Sequence, residues 1–133
     1  MAARAESDSL FDDLEDDLLG ELTAPTRSGA SIEPADFDES LTRLGRLLPR
    51  SVHLGTSSWY FPGWRDLVWR GDTDYTESRL ARHGLSAYAR HPLFRCVGID
   101  RTFYQPLTVA EYASYAEQVP NDFRFVVKSP AMV

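Results

Sequence analysis

Three apolar segments of this chain are each followed by polar side chains that could bind and process a small anionic or polyhydroxylated molecule. A carboxylate there could transfer protons, cations could hold an anionic group, and hydroxyls could hydrogen-bond the substrate. We predict Asp100 and Lys128 as the catalytic residues, with Asp100 as the acid or base. The predicted substrate-binding residues are Thr56, Ser57, Trp59, Arg101 and Tyr104.

The same polar residues have a second interpretation, as a network that ties the ends of neighbouring strands together. Residue chemistry alone does not separate the two. The tryptophans also have two interpretations, because Trp59, Trp64 and Trp69 all lie in one loop. Exposed rings there could stack on a sugar or a base, whereas buried rings would form a hydrophobic plug. Because tryptophan rings are usually structural, we expect the plug for at least two of the three.

Several common kinds of site are excluded by the motifs that the sequence lacks. The chain has no glycine-rich phosphate loop, and none of His53, His83 and His91 has a partner at metal-ligand spacing. Cys96 is the only cysteine, so the chain cannot form an internal disulfide. We therefore predict no cofactor and no metal site.

The elements that must position these residues alternate between strand-like and helix-like segments. Strands are expected to begin near Val52, at Phe94 and at Phe123, with helices over residues 76–90 and 108–118 between them. Thr76 and Thr108 are the predicted N-caps of these two helices. This order requires parallel strands joined by right-handed crossovers, with ligands at the carboxyl ends of the strands. The predicted fold class is α/β.

The acidic residues are concentrated before the predicted sheet. Residues 1–40 carry 12 acids and 2 bases, a net charge of −10, whereas the rest carries 8 acids and 12 bases, a net charge of +4. We predict a disordered acidic tail over residues 1–35, a helix and lead-in over 36–51, and a folded domain over 52–133. The basic domain admits an anionic ligand, but its charge is too small to indicate nucleic acid.

One segment of the tail, Leu10–Leu22, fits two interpretations. Its leucines recur every four residues opposite carboxylates, which is typical of a helix that folds into the groove of a protein partner. Repulsion among its crowded acids opposes that helix and favours a solvated tail. The sequence shows no signal peptide and no apolar span long enough for a bilayer, so we expect a cytoplasmic protein without membrane partners.

Three motifs in this chain resemble the DUF72 (YecE-like) family. They are Gly55–Trp59 (GTSSW) with Phe61–Trp64 (FPGW), Gly98–Tyr104 (GIDRTFY) and Asp122–Lys128 (DFRFVVK). Members resemble TIM barrels, and their activity is not established. The resemblance implies the N-terminal part of a (β/α)8 barrel, about three parallel strands with crossover helices. A complete barrel needs about 250 residues, so we expect a domain truncated after its third strand.

The second motif departs from the family pattern at two positions. Many members carry Glu where this chain has Gly98, and Asn where it has Asp100. A carboxylate is thus moved by two residues, which keeps it on the same face of the strand but nearer the rim. The role of the family's Glu therefore cannot be assigned to Gly98.

Alternation along the strands predicts which side chains share a face. The large apolar residues should pack under the helices; they are Val52, Leu54, Val97, Ile99, Phe123, Phe125 and Val127. Ser57, Asp100 and Lys128 would then converge on the inward face. Because neighbouring strands lie about 4.8 Å apart, Asp100 and Lys128 should come close enough to form an ion pair.

Two functions follow as expectations. The first is a DUF72 protein derived from a barrel enzyme that acts on a small anionic or polyhydroxylated molecule, and that is inactive as this fragment. The second is a non-catalytic adaptor that recruits a protein partner through its acidic N-terminal segment.

Overall fold

A three-stranded parallel sheet holds the described part of the chain together. In the computed structural model, which describes residues 31–131, the strands are β1 (Leu54–Thr56), β2 (Phe94–Ile99) and β3 (Arg124–Val127). They lie side by side in the order β1-β2-β3, and both pairings are parallel. Sequence order and spatial order agree, as expected for strands joined by crossover helices. The predicted α/β class is confirmed.

Four helices accompany the sheet within residues 31–131, and side chains cap three of them. They are α1 (Glu39–Leu47), α2 (Glu77–His83), α3 (Leu85–Tyr88) and α4 (Val109–Glu117). Asp38 caps α1 and Thr76 caps α2, each accepting the backbone N–H three residues further on. Thr108 and Glu111 form a reciprocal capping box at the start of α4. The caps predicted at Thr76 and Thr108 are confirmed.

The predicted helix over residues 76–90 is divided into α2 and α3 at Gly84. This glycine ends α2 and begins α3, and its N–H donates to the carbonyl of Leu80. A Cβ at position 84 would lie 2.6 Å from the oxygen of Leu80, so a side chain would push the two helices apart. The division turns Leu80, Leu85 and Tyr88 together into the core, where all three are fully buried.

The core lies on one face of the sheet, and alternation along β2 predicts it correctly. Val97 and Ile99 are buried, as is Phe123 just before β3. The same alternation predicts that Val127 and Leu54 pack under the helices. That prediction fails at the edges of the sheet, where Val127 is 47% exposed and Leu54 is 43% exposed. Both residues lie on edge strands, and edge positions have a neighbouring strand on one side only.

Packing begins earlier along the chain than the sequence predicts. The predicted tail extends to residue 35, yet Ile32 and Ala35 are buried, and the N–H of Ala35 donates to the carbonyl of Val68 at 2.9 Å. The compact unit that contains the sheet therefore starts at Ile32. Leu10–Leu22, where a partner-binding helix is predicted, lies outside the described residues, and the adaptor function stays a prediction.

A single arginine fastens α1 to the sheet. The guanidinium of Arg95, in β2, donates to four carbonyl oxygens at and after the end of α1. The acceptors are Gly45 at 2.9 Å, Leu48 at 3.2 Å, Pro49 at 2.6 Å and Val52 at 3.1 Å. Carbonyls at a helix end have no partner within the helix, so Arg95 supplies donors to Gly45 and Leu48 there and to two carbonyls of the segment that follows.

Candidate functional site

A buried hydroxyl holds the carboxyl ends of β2 and β3 side by side. Thr102 is 1% exposed, and its Oγ1 lies 2.8 Å from the oxygen of Ile99 and 2.6 Å from that of Lys128. The N–H of Lys128 also donates to the oxygen of Ile99, at 3.3 Å. Sequence reasoning missed Thr102, although it lies within the GIDRTFY motif beside three predicted site residues. Its role is to connect the two strand ends from which the site is built.

The predicted ion pair between Asp100 and Lys128 is wrong. The ion pairs found among residues 31–131 involve neither side chain, although both are exposed at this edge. Asp100 has φ −82° and ψ −24° and starts a 3-10 turn, so the strand ends at Ile99. Strand alternation therefore does not direct the Asp100 side chain. The ammonium of Lys128 lies 5.5 Å from the ring centre of Phe103 instead.

The side chain of Arg101 forms hydrogen bonds with α4 and not with the residues at the strand ends. Its guanidinium donates to Glu111 Oε1 at 2.8 Å and to the hydroxyl of Tyr115 at 3.0 Å, both on α4. The pKa of Glu111 is lowered, chiefly by the backbone N–H of Thr108 and to a smaller extent by Arg101. Arg101 thus ties the turn after β2 to α4. The prediction that it holds an anion together with Lys128 is replaced by this structural role.

Thr56 and Trp59 both form hydrogen bonds with the helices that follow β1, Thr56 with α3 and Trp59 with α2. Thr56 Oγ1 lies 2.7 Å from the Tyr88 hydroxyl, which also accepts the N–H of Thr56 at 2.9 Å. Trp59 is 1% exposed, and its Nε1–H donates to the carbonyl of Ala81 at 3.2 Å. The buried ring of Trp59 is not placed to bind substrate, contrary to the prediction, whereas Thr56 is half-buried and lines a groove next to α1. The hydrophobic plug is confirmed for Trp59 and Trp69, both of which are buried.

Four of the predicted site residues remain accessible at the carboxyl ends of the strands. They are Ser57, Asp100, Tyr104 and Lys128, all of which are exposed. They follow three different strands, so the hydroxyls, the carboxylate and the ammonium come from separate parts of the sequence. Each of these side chains can be reached by a small polar ligand at the open edge of the sheet.

The end of β1 approaches β2 so closely at Gly98 that a side chain does not fit there. A Cβ at this position would lie 2.7 Å from the carbonyl oxygen of Ser57 and 3.1 Å from its Cα. Backbone atoms cannot yield as a flexible side chain can. The close backbone contact therefore leaves no room for a larger residue at position 98.

We expect Gly98→Ala to lower the free energy of unfolding by about 2 kcal/mol, because the added methyl group forces Ser57 away from β2. Urea denaturation of both proteins measures this difference. Gly63→Ala is the matched control: its Cβ would meet only the ring of Phe61, which is 55% exposed and able to move. Equal stability of Gly98→Ala and the parent protein would show that the contact is not close in solution.

Metal binding and membrane insertion find no support in the described residues. No three His, Cys, Asp or Glu side chains between residues 31 and 131 are grouped so as to hold a metal ion. Over the same residues, none of the helices is long and apolar enough to span a membrane. The thiol of Cys96 donates to the carbonyl of His53 at 3.0 Å, and burial raises its pKa.

Comparison with known families shows to which family the region that contains the sheet belongs. Residues 53–133, which include all three strands, match the family described as "Protein of unknown function DUF72". No curated protein and no solved structure matches the chain. The matched region covers more than half of the 133 residues and contains the three motifs that carry the resemblance. The chain therefore belongs to the DUF72 family.

Proposed function

We propose that this chain supplies the first three strands of a barrel derived from an enzyme, and that their carboxyl ends bind a small anionic or polyhydroxylated molecule. The strands follow one another in both sequence and space, as the first strands of a barrel do. Parallel sheets take their ligands beyond the carboxyl ends of the strands. The exposed polar residues at that edge support the same location.

The observation that carries the proposal is the uncompensated cation at Lys128. Within the described residues its ammonium has no carboxylate partner and lies over the ring of Phe103, 5.5 Å from the ring centre. A ring face attracts a cation without neutralising it, so the ammonium retains its capacity for an anion. Arg124, the cation at the start of β3, donates instead to the backbone carbonyls of Asn121 and Phe123.

The remaining accessible groups suit a ligand that carries hydroxyls. Ser57 and Tyr104 are exposed and can exchange hydrogen bonds with such a ligand. Asp100 caps its turn without a side-chain hydrogen bond, so its carboxylate is available as an acid or base. The edge is open to water, which screens the charges that would stabilise a transition state. We expect the 133 residues alone to bind ligand without turning it over.

Lys128 is the only lysine of the chain, which makes the proposal directly testable. Protein labelled with ¹³C-lysine has a single Cε signal, and we expect glycerol phosphate to shift it in a saturable manner. Glycerol at the same concentration should shift it much less, because it lacks the charge. Calorimetry should show that Lys128→Met weakens glycerol phosphate binding by about tenfold.

Arg124→Met is the matched control, because it removes a cation from the opposite end of β3, the strand that Lys128 directly follows. Its affinity for glycerol phosphate should stay within about twofold of the parent protein. If the Lys128 signal does not respond, or if Arg124→Met weakens binding as much as Lys128→Met, anion binding at this edge is disproved.

A further inference from the structure

We propose that a groove between the start of α1 and the loop after β1 binds a small organic cation with an apolar body. The groove has a volume of about 420 Å³, enough for a ligand of a dozen or so heavy atoms. Ser57, Asp100, Tyr104 and Lys128 are not among the residues that line it, so it is separate from the anion site proposed above.

Aromatic rings form the floor of this groove. Phe37, Trp64, His91 and Phe94 line it, and fully buried Tyr88 packs behind them. The rings make a continuous row, with centre-to-centre distances of 6.3 Å from Trp64 to Tyr88, 4.5 Å from Tyr88 to Phe94 and 4.0 Å from Phe94 to His91. Phe37 completes the row, 4.9 Å from His91 and edge-on to it. Such a floor accepts an apolar body.

The charges around the floor are negative. Asp36, Asp38 and Asp66 line the groove, and all three are exposed to water at its rim. Arg70 offsets only Asp36, to which it donates at 3.3 Å. Burial lowers the pKa of His91, so its ring is neutral at neutral pH and does not cancel the carboxylates. Asp38 caps α1, which offsets part of its charge, and Asp66 has no ion-pair partner among the described residues. The net charge at the rim is therefore negative and favours a cation over an anion or a neutral molecule.

A metal ion fits this arrangement poorly. The carboxylates are spread around the rim, and within the described part of the chain no three potential ligands are close enough together to coordinate a metal. An organic cation needs no such cluster, because its charge can face one carboxylate while its body covers the rings.

The probes for this groove are phenethylamine, which is cationic with an aromatic body, and 2-phenylethanol, which has the same shape without the charge. Phenethylamine should shift the indole N–H signal of Trp64 in a saturable manner and leave those of buried Trp59 and Trp69 nearly unchanged. Trp64→Phe identifies the responding signal. We expect 2-phenylethanol to bind about tenfold more weakly than phenethylamine.

The double variant Asp38→Asn, Asp66→Asn removes the rim charge while preserving the backbone. Asn caps a helix as well as Asp does, which matters for Asp38 at α1. Asn also tolerates the left-handed conformation of Asp66, whose φ is 60°. This variant should bind phenethylamine about tenfold more weakly, whereas Asp122→Asn, outside the groove, should bind it like the parent protein.

Two results would overturn the proposal even if both variants fold normally by circular dichroism. One is equal affinity for phenethylamine and 2-phenylethanol, which would make the groove apolar without charge preference. The other is the absence of a saturable response at Trp64. Neither result bears on the anion site, because that test reads the signal of Lys128.

Discussion

Replacing Trp59 by alanine lowers the free energy of unfolding by about 4 kcal/mol, the largest loss that we expect from a single substitution in this loop. The ring is 1% exposed and packs edge-on against Tyr115, with 4.8 Å between ring centres. Its removal leaves a cavity among the side chains that join the loop after β1 to α4. The carbonyl of Ala81 also loses the indole N–H that it accepts. Urea denaturation, followed by circular dichroism, measures the loss.

Two further substitutions separate burial from ligand stacking at Trp59. Trp59→Phe retains a ring against Tyr115, so we expect it to recover more than half of the stability that alanine loses. Phe61→Ala removes a ring that is 55% exposed in the same loop and should cost less than about 1 kcal/mol. A Trp59→Ala protein as stable as the parent would mean that the ring is accessible to a ligand. That result would support the stacking interpretation that the sequence left open.

Replacing Arg95 by methionine should lower the free energy of unfolding by about 3 kcal/mol. Methionine keeps an unbranched apolar stem but removes the donors that satisfy four carbonyls at and beyond the end of α1. Pro49 keeps the N–H of Val52 as a donor, whereas the other three carbonyls must find water or stay unpaired in a partly buried position. Because α1 is the element that loses its anchor, its backbone amides should also lose protection from hydrogen exchange while those of β2 keep theirs.

Arg46→Met is the matched control for this prediction. Arg46 lies in the last turn of α1, where its charge suits the helix dipole, and it is exposed. Its replacement should change the free energy of unfolding by less than about 0.5 kcal/mol. If Arg46→Met and Arg95→Met are equally destabilising, the loss reflects the general charge of the helix end and not the hydrogen bonds of Arg95.

Local chemistry explains why so much of the fold could be predicted. The helix starts at Thr76 and Thr108 depend on a threonine hydroxyl and the backbone N–H three residues further on. Residue type and a short spacing are therefore enough to predict them. The strand positions follow from short apolar runs between turn residues, and the parallel order follows from the helices between them. The burial of two of the three tryptophans, Trp59 and Trp69, was expected because indole rings are usually structural, but ring size does not tell which of the three are buried.

The side-chain pairings could not be predicted, because each depends on where distant segments meet. Arg101 and Lys128 were expected to act together, yet Arg101 pairs with Glu111 on α4 and Lys128 lies over Phe103. The expected pair of Asp100 with Lys128 required β2 to continue one residue further than it does. A change of backbone direction at one residue is enough to redirect a side chain, and alternation does not show where a strand ends.

The sequence by itself determined the family, the α/β class, the element order and the caps, because these depend on residue type and on spacings of a few positions. Only the tertiary structure decided that Arg95 reaches back some 50 residues to Gly45, and that rings from residues 37, 64, 91 and 94 line one groove. It also decided that the backbone of Ser57 lies against Gly98, which leaves no room for a side chain there. Contacts between segments so far apart arise from the way the whole core packs, which no local pattern encodes.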